Sequence, residues 1–467
     1  MIPTWCHYNT GFVARNRNPQ GVALRFPMYI LYRILTAVGM LFLAPYYALR
    51  SWRNREGPRT FHERFGGLSP EIAARAATSN ANIWIHAVSV GEVLAAKPLA
   101  DGLKKKYPGC AIFVSTTTET GRRLAQERLQ TADGIFYFPL DWVVPVRRAL
   151  KAIRPRMVII METEIWPNFL REARRRNIPV IFANARISER SFARYKQWRF
   201  LVEPFFARVM QDADIFLAQT PEDAARLREI GAREDRVEVC GNLKYDGDPP
   251  AAGEFGEWLA RQIQSQERWP VLVAGSIVAE EEEAVMAAYD VVQRQWRHAL
   301  LVLAPRKPDR FDAASKIAAE GGWTVIRRSL IEFAAPLDEN VDVLVLDSIG
   351  ELAGLYSLAD VVFVGGSLVA SGGHNILEPA WFARTPVFGE SMENFQEMAA
   401  QFLAAQAGVQ VKSGQQLGKV WVKLIEDNTL RERMGKAALQ LSERNRGATA
   451  RVLSRIASVL DDAGRTA

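Results

Sequence analysis

From Ile83 onward the chain repeats one pattern, a short run rich in β-branched residues followed by a stretch with helical periodicity. IWIHAV, AIFVST, GIFYF, MVIIM, PVIFA, DIFLA and RVEVC are the runs of the first half; VLVAGS, ALLVLAP, VDVLVLD and DVVFVGG are those of the second. Strands separated by helices pair in parallel through crossovers, with the helices covering the sheet. Between the halves, Gly241 to Pro250 is a turn-rich span with two prolines beside two glycines, which reads as a linker. The fold class expected is therefore α/β, with two Rossmann-like domains of similar size, 51–245 and 246–467, facing each other across a cleft. A length of 467 residues agrees with two domains rather than one. The last stretch, about Thr429 to Asp462, reads as helix without a site signal.

The N-terminus sets a second constraint. Met28 to Leu49 is apolar except for Arg33 and Thr36, and the part after Arg33 gives roughly 16 residues against the ~20 that span a bilayer. Arg50, Arg53, Arg55, Arg59 and Arg64 follow at once. The expectation is a membrane anchor over 28–50, spanning or half-inserted, with the body of the protein held at the cytoplasmic face by arginines attracted to anionic headgroups. Residues 1–27 form an N-terminal extension of unknown role. No small-residue cleavage site follows the apolar run, so a removed signal peptide is not expected. The net charge of +7 asks for an acidic partner without naming it. Cys6, Cys110 and Cys240 are scattered and odd in number, which argues against a disulfide framework or zinc site and for a reducing compartment.

In parallel sheets, ligands bind beyond the carboxyl ends of the strands. There the first half offers Ser89-Val90-Gly91-Glu92, then Glu162 and Glu164 in METEIWPN, then Arg186 in the loop NARIS. Two strand ends thus carry carboxylates that can approach one pocket, with Arg186 to hold an anion. The second half offers Pro305-Arg306, Ser348-Ile349-Gly350-Glu351, and GGSLVASGGHNILEPA from Gly365. Four glycines in the last motif allow close backbone approach, a helix near Asn375 can present free N–H groups to an anion, and Glu378 can accept from ribose hydroxyls. Each motif has a plainer account: a lone Glu in a first helical turn is favoured by the dipole, and a glycine-rich turn is common in α/β folds. His86 and His374 lack ligand-spaced partners, so no metal site is expected. The DxD spacings at Asp212 and Asp246 start a strand and lie in the linker, and are better explained by chance.

As a constellation the motifs are specific. HAVSVGE, METEIWPN, NARIS, GNLK, APRKP, IGE and GGSLV-GGHNILEPA, with ERFG (Glu63 to Gly66) ahead of them, stand in an order that resembles the Kdo (3-deoxy-D-manno-octulosonic acid) transferases of lipopolysaccharide assembly. The resemblance implies the GT-B fold with an N-terminal anchor helix, and transfer of Kdo from CMP-Kdo to a lipid A precursor (lipid IVA), releasing CMP. It implies Glu92 as general base, and Glu162 and Lys244 as transition-state stabilisers. Donor contacts fall on Pro305, Arg306, Ile349, Gly350, Glu351, Asn375, Ile376, Leu377 and Glu378. Ser89, Gly91 and Arg186 are weaker candidates for acceptor or sugar contact. No cofactor and no metal are implied; the partners are CMP-Kdo, the lipid A precursor and inner-membrane lipids, not nucleic acid, at the cytoplasmic face of the inner membrane. GNLK has Asn242 where some relatives carry Ser, which leaves the lysine in place. Two alternatives are weighed: an isomerase like the nucleotide-sugar 2-epimerases, which needs no lipid acceptor, and a non-catalytic nucleotide-sugar-binding membrane protein, which needs no Glu92, Glu162 and Lys244 together.

Overall fold

Parallel strands bury both faces, and that requirement explains the unbroken apolar runs. In the computed structural model, which describes residues 29–39, 58–79, 81–247 and 249–465, the runs form two parallel seven-stranded sheets. The first contains β1 (Ala81–His86), β2 (Cys110–Thr116), β3 (Gly134–Tyr137), β4 (Pro155–Met161), β5 (Val180–Ala185), β6 (Ile215–Ala218) and β7 (Val237–Val239), in the order β3-β2-β1-β4-β5-β6-β7. The second contains β8 (Val271–Ile277), β9 (Leu300–Pro305), β10 (Val325–Arg327), β11 (Val343–Val345), β12 (Val361–Val364), β13 (Val387–Phe388) and β14 (Val409–Gln410), in the order β10-β11-β9-β8-β12-β13-β14. Alternation along β8 shows the two-sided burial. Leu272 and Ala274 enter a cluster with Tyr289 and Trp421, while Val273 enters the opposite one with Phe255 and Trp258.

The chain up to Cys240, together with Arg451 onward, makes one unit, and Gly241–Ala450 makes the other. The expected second domain, 246–467, thus differs at its end, where the residues from Arg451 group with the first unit. The final helix, Ala448–Arg465, carries Arg451 and Arg455, which donate to the Cys240 carbonyl and to Glu238, both at 2.8 Å. Its Leu453 fills the space that a Cβ on Gly102 would take. Cys110 and Cys240 are free thiols, Cys240 buried.

The anchor region is only partly described. Residues 1–28 and 40–57 lie outside the described residues, and with them the extension, most of the expected anchor, and Arg50, Arg53 and Arg55. Residues 29–39 are helical. Tyr29 donates to Asp212 at 2.8 Å, Tyr32 to Asp141 at 2.9 Å, and Arg33 to Asn168 at 3.2 Å. One side of this helix is thereby fixed to the first unit, while Ile30, Leu31, Ile34, Leu35 and Val38 stay exposed. Among the described residues no helix is long and apolar enough to cross a membrane.

Candidate functional site

Strand order reverses between β1 and β4 in the first sheet and between β8 and β12 in the second. At such points neighbouring loops run to opposite sides and leave a crevice at the carboxyl edge. Glu92 and Glu162 come from the loops after β1 and β4, so the first reversal carries both carboxylates.

The turn that holds Glu92 is built by capping. Ser89 is extended and its Oγ accepts the Glu92 N–H at 3.4 Å. The Glu92 carboxylate reaches back, accepting from the Val88 N–H and the Ser89 hydroxyl, each at 2.8 Å. This reciprocal box starts the helix Val90–Lys106, with Gly91 in its first turn. Thr118 braces the turn by donating to the Val88 carbonyl at 3.1 Å. Glu92 is only 5% exposed. Burial first, then the charge of Glu162, and to a lesser degree Glu164, push its carboxyl up to about 7, against the two local hydrogen bonds. The helix start alone suggested the opposite, an ionised form favoured by the dipole. The magnitudes explain the reversal: a helix terminus contributes about 1 kcal/mol or less, whereas a rise from 4.5 to about 7 corresponds to about 3 kcal/mol.

Glu162 follows β4 with φ of 52°, a left-handed conformation disfavoured for a side chain of this kind. Its N–H donates to the Ala183 carbonyl at 2.9 Å, so the neighbouring strand holds it there. Strain of this type concentrates at functional positions. Glu164, two residues on, is also raised by burial and by Glu162. Thr163 ties the next loop in: its Oγ1 accepts from the Arg186 N–H at 2.9 Å and its hydroxyl donates to the Arg186 carbonyl. Glu162, Glu164 and Arg186 line one pocket of about 570 Å³ together with the apolar side chains of Ile187, Trp198 and Phe206. Of the two strand ends expected to bring carboxylates to one pocket, the pocket takes Glu162 and Glu164 from the second; Glu92, from the first, does not line it, although the Glu162 charge reaches Glu92. Lys244, the third expected catalytic group, belongs to the other unit. It sits on the single turn Leu243–Asp246, whose cap is Asn242, with its ammonium 5.6 Å from the centre of the Phe395 ring.

In the second unit, Pro305 ends β9 buried, and the Arg306 N–H donates to the Ile277 carbonyl at 2.8 Å. The charge of Arg306 is felt by both His374 and Glu378. Burial and then Arg306 lower His374 to about 4; burial raises Glu378, opposed by the Asn375 amide and by Arg306. Arg306, Asn375 and Glu378 therefore share one edge. Ile376 and Leu377 point into the core and offer a ligand only their backbone. The expected helix with free N–H groups is corrected: Leu377–Ala380 is a single turn, and the Leu377 N–H donates to Asn375 Oδ1 at 3.1 Å. Ile349 is exposed and Gly350 is left-handed at φ 99°. The Glu351 carboxylate is taken by Arg328 in a two-point contact at 3.0 and 3.1 Å.

The two DxD spacings hold structure. Asp212 accepts from Tyr29 and pairs with Arg171 at 3.2 Å, and Asp246 accepts from the Gly447 N–H at 2.5 Å. Asp248 lies outside the described residues. Among the described residues no three His, Cys, Asp or Glu side chains converge to hold a metal ion.

The protein-family model for 3-deoxy-D-manno-octulosonic-acid transferase (kdotransferase) matches residues 59–247, the part that holds Glu92, Glu162, Arg186 and Lys244. The 3-deoxy-D-manno-octulosonic acid transferase of Haemophilus influenzae is 33% identical over 386 residues, 81% of this chain and 87% of the relative. The chain belongs to the Kdo transferase family. Among solved structures, MurG of Acinetobacter baumannii is similar at 16% identity and a TM-score of 0.52, covering 81% of this chain and 99% of that one. UDP-GlcNAc 2-epimerase of Neisseria meningitidis bound to UDP-GlcNAc matches at 14% and 0.52, over 81% and 100%. Those two likenesses speak to the fold alone, which with two parallel α/β sheets is GT-B. Since an epimerase shares it, the architecture does not separate the alternatives weighed from the sequence; the sequence relationship does.

One residue of this Kdo transferase escaped the sequence reading. Glu281 is fully buried at the second reversal point. Its Oε2 accepts from the N–H groups of Val278 (3.1 Å) and Gly366 (2.7 Å), and its Oε1 from those of Ser367 (2.9 Å) and Leu368 (2.8 Å). The glycine-rich loop, where close backbone approach of a ligand is expected, is folded at its root around a carboxyl group of the protein's own. Gly365 is required there, because a Cβ would come within 2.8 Å of Glu281 Oε2.

Proposed function

We propose that this chain transfers Kdo from CMP-Kdo to the acylated glucosamine disaccharide precursor of lipid A, with Glu92 as general base. The observation that carries the reading is Glu92 itself: a buried carboxyl, 5% exposed and pushed up to about 7, at the strand-order reversal of a Kdo transferase relative. A base is most effective when its pKa lies near the working pH. The acceptor hydroxyl gives its proton to the Glu92 carboxylate as its oxygen bonds to the anomeric carbon of Kdo. The bond from that carbon to the phosphate oxygen breaks, and CMP leaves with the electron pair. Glu162 faces the positive character that develops at the sugar ring; Lys244 and Arg306 favour the departing phosphate. Asn375 and Glu378 supply polar contacts for the nucleotide.

The reading is tested at Glu92. Glu92→Ala loses transfer by 10²–10⁴-fold, the usual worth of a positioned base, while calorimetry still detects CMP-Kdo binding. A variant with wild-type turnover on the lipid acceptor removes Glu92 from the chemistry.

Membrane attachment at the cytoplasmic face of the inner membrane completes the proposal. Its support is the exposed apolar side of helix 29–39 beside a basic groove lined by Arg147, Arg148, Lys151, Arg154 and Arg176. Glu172 joins the two, accepting from Arg147 at 2.8 Å and pairing with Arg33 at 3.5 Å. Such a helix lies in the interface and is held by anionic headgroups. Replacing Ile34 and Leu35 by serine shifts the protein toward the soluble fraction on sedimentation; an unchanged membrane fraction refutes a role for this face.

A further inference from the structure

The pocket lined by Glu162 combines apolar and charged side chains, and the combination says what enters it. Helix Glu189–Met210 presents Tyr195, Trp198, Val202 and Phe206 to the cavity, at spacings of three and four residues that put them on one face. Trp198 stays 53% exposed, although a side chain of that size is normally covered. Glu162, Glu164 and Arg186 line the same cavity from the strand-end loops, and Arg194 stands on the helix one turn ahead of Trp198. Arg186 Nε is buried and has no hydrogen-bond partner among the described residues. A buried guanidinium N–H is rarely left unanswered in a complete site. The apolar helix face therefore suits hydrocarbon, and the two arginines suit an anionic, hydroxylated head. At about 570 Å³ the cavity has the size of a ligand site.

We propose that one acyl chain of the acceptor lies along this helix face, over Trp198, Val202 and Phe206, while the phosphorylated sugar meets Arg186 and Arg194. The inference rests on the functional reading above and adds to it that acylation is sensed inside the first unit. Hydrocarbon burial is non-directional and additive, and each methylene moved out of water contributes roughly fourfold in affinity. A few methylenes against Trp198 are enough to make a sugar without acyl chains a poor substrate.

The test compares the full-length protein in detergent on two acceptors, a tetra-acylated glucosamine disaccharide bisphosphate and its fully deacylated form. The wild type prefers the acylated acceptor in kcat/KM, and Trp198→Ser lowers that preference at least tenfold. Trp198 is half exposed, so its loss leaves folding intact. Phe200→Ser is the control, an exposed aromatic on the same helix but outside the cavity; the preference ratio stays at the wild-type value. The proposal is overturned if Trp198→Ser keeps the ratio, or if both variants lower it alike, which marks a general bilayer contact. It is also overturned if Trp198→Ser acts by changing the oligomeric mass, which marks a second copy of the chain as the occupant. A wild type that uses both acceptors equally defeats the pocket claim alone; one that uses neither defeats the functional reading with it.

Discussion

The two units place a buried glutamate at the same topological position and use it in opposite ways. Glu92 follows β1 and Glu281 follows β8, each strand flanking the reversal of its own sheet, and each carboxylate accepts an N–H from its own turn, Val88 or Val278. Beyond that turn their surroundings diverge. Glu281 faces three backbone N–H groups of the glycine-rich loop, while the charges of Glu162 and Glu164 bear on Glu92. One carboxylate is satisfied by the fold; the other is left with a displaced pKa and an appetite for a proton. Position in an α/β sheet thus supplies the opportunity, and the partners decide between support and chemistry.

The largest expected effect breaks the supporting half of the pair. Glu281→Ala strands four N–H donors at the root of the loop, and each buried donor left without a partner costs about 1–3 kcal/mol. Even with water entering, the loss is on the order of 4 kcal/mol, read as a lower midpoint in urea. Glu92 responds with the opposite sign. Its folded pKa of about 7 lies above the ordinary 4.5. Between those values the unfolded chain sheds a proton that the folded chain keeps, so this group's contribution to stability falls as pH rises through the window. Glu92→Gln keeps the capping geometry and removes the cost. At pH 8 its melting temperature exceeds the wild type's, by at most about 3 kcal/mol of stability; below pH 4.5 the advantage disappears. A Glu281→Ala chain as stable as wild type, or a Glu92→Gln chain less stable at pH 8, erases the contrast.

The same contrast explains what the sequence could reveal. All seven strands of the first unit are visible as β-branched runs, as are β8, β9, β11 and β12. Unread were β10, β13 and β14; the equally short β7 and β11 were legible only because RVEVC and VDVLVLD extend the run beyond the paired residues. Glu92, Glu162 and Arg186 were legible because strand ends announce themselves. Glu281 was not, since it sits within Glu280-Glu281-Glu282-Glu283, a run that reads as a solvated helix start. Two members of that run are buried, Glu281 under the glycine loop and Glu282 against Arg310 at 2.8 Å, and their burial depends on partners 85 and 28 residues away. Local pattern carries no trace of such pairs. The helix expected at Asn375 failed for a related reason: Pro379 and Leu377–Ala380 make one turn, and the side chain before it closes the first N–H.

The smallest effect is the most specific to Glu92. Burial is the larger cause of its raised pKa and the Glu162 charge the second. Glu162→Gln keeps the shape of the neighbouring side chain and deletes its charge, so the Glu92 pKa moves down toward the ordinary value without reaching it. Since kcat/KM reports the free enzyme's essential base, its acid limb shifts to lower pH while the limb's slope stays that of one proton. Turnover also falls if Glu162 acts on the sugar ring, but a lower plateau does not move the limb, and the two readouts separate. Glu378→Gln, in the second unit, leaves the limb where the wild type has it. A limb that ignores position 162, or follows position 378 instead, assigns the titrating base to another group.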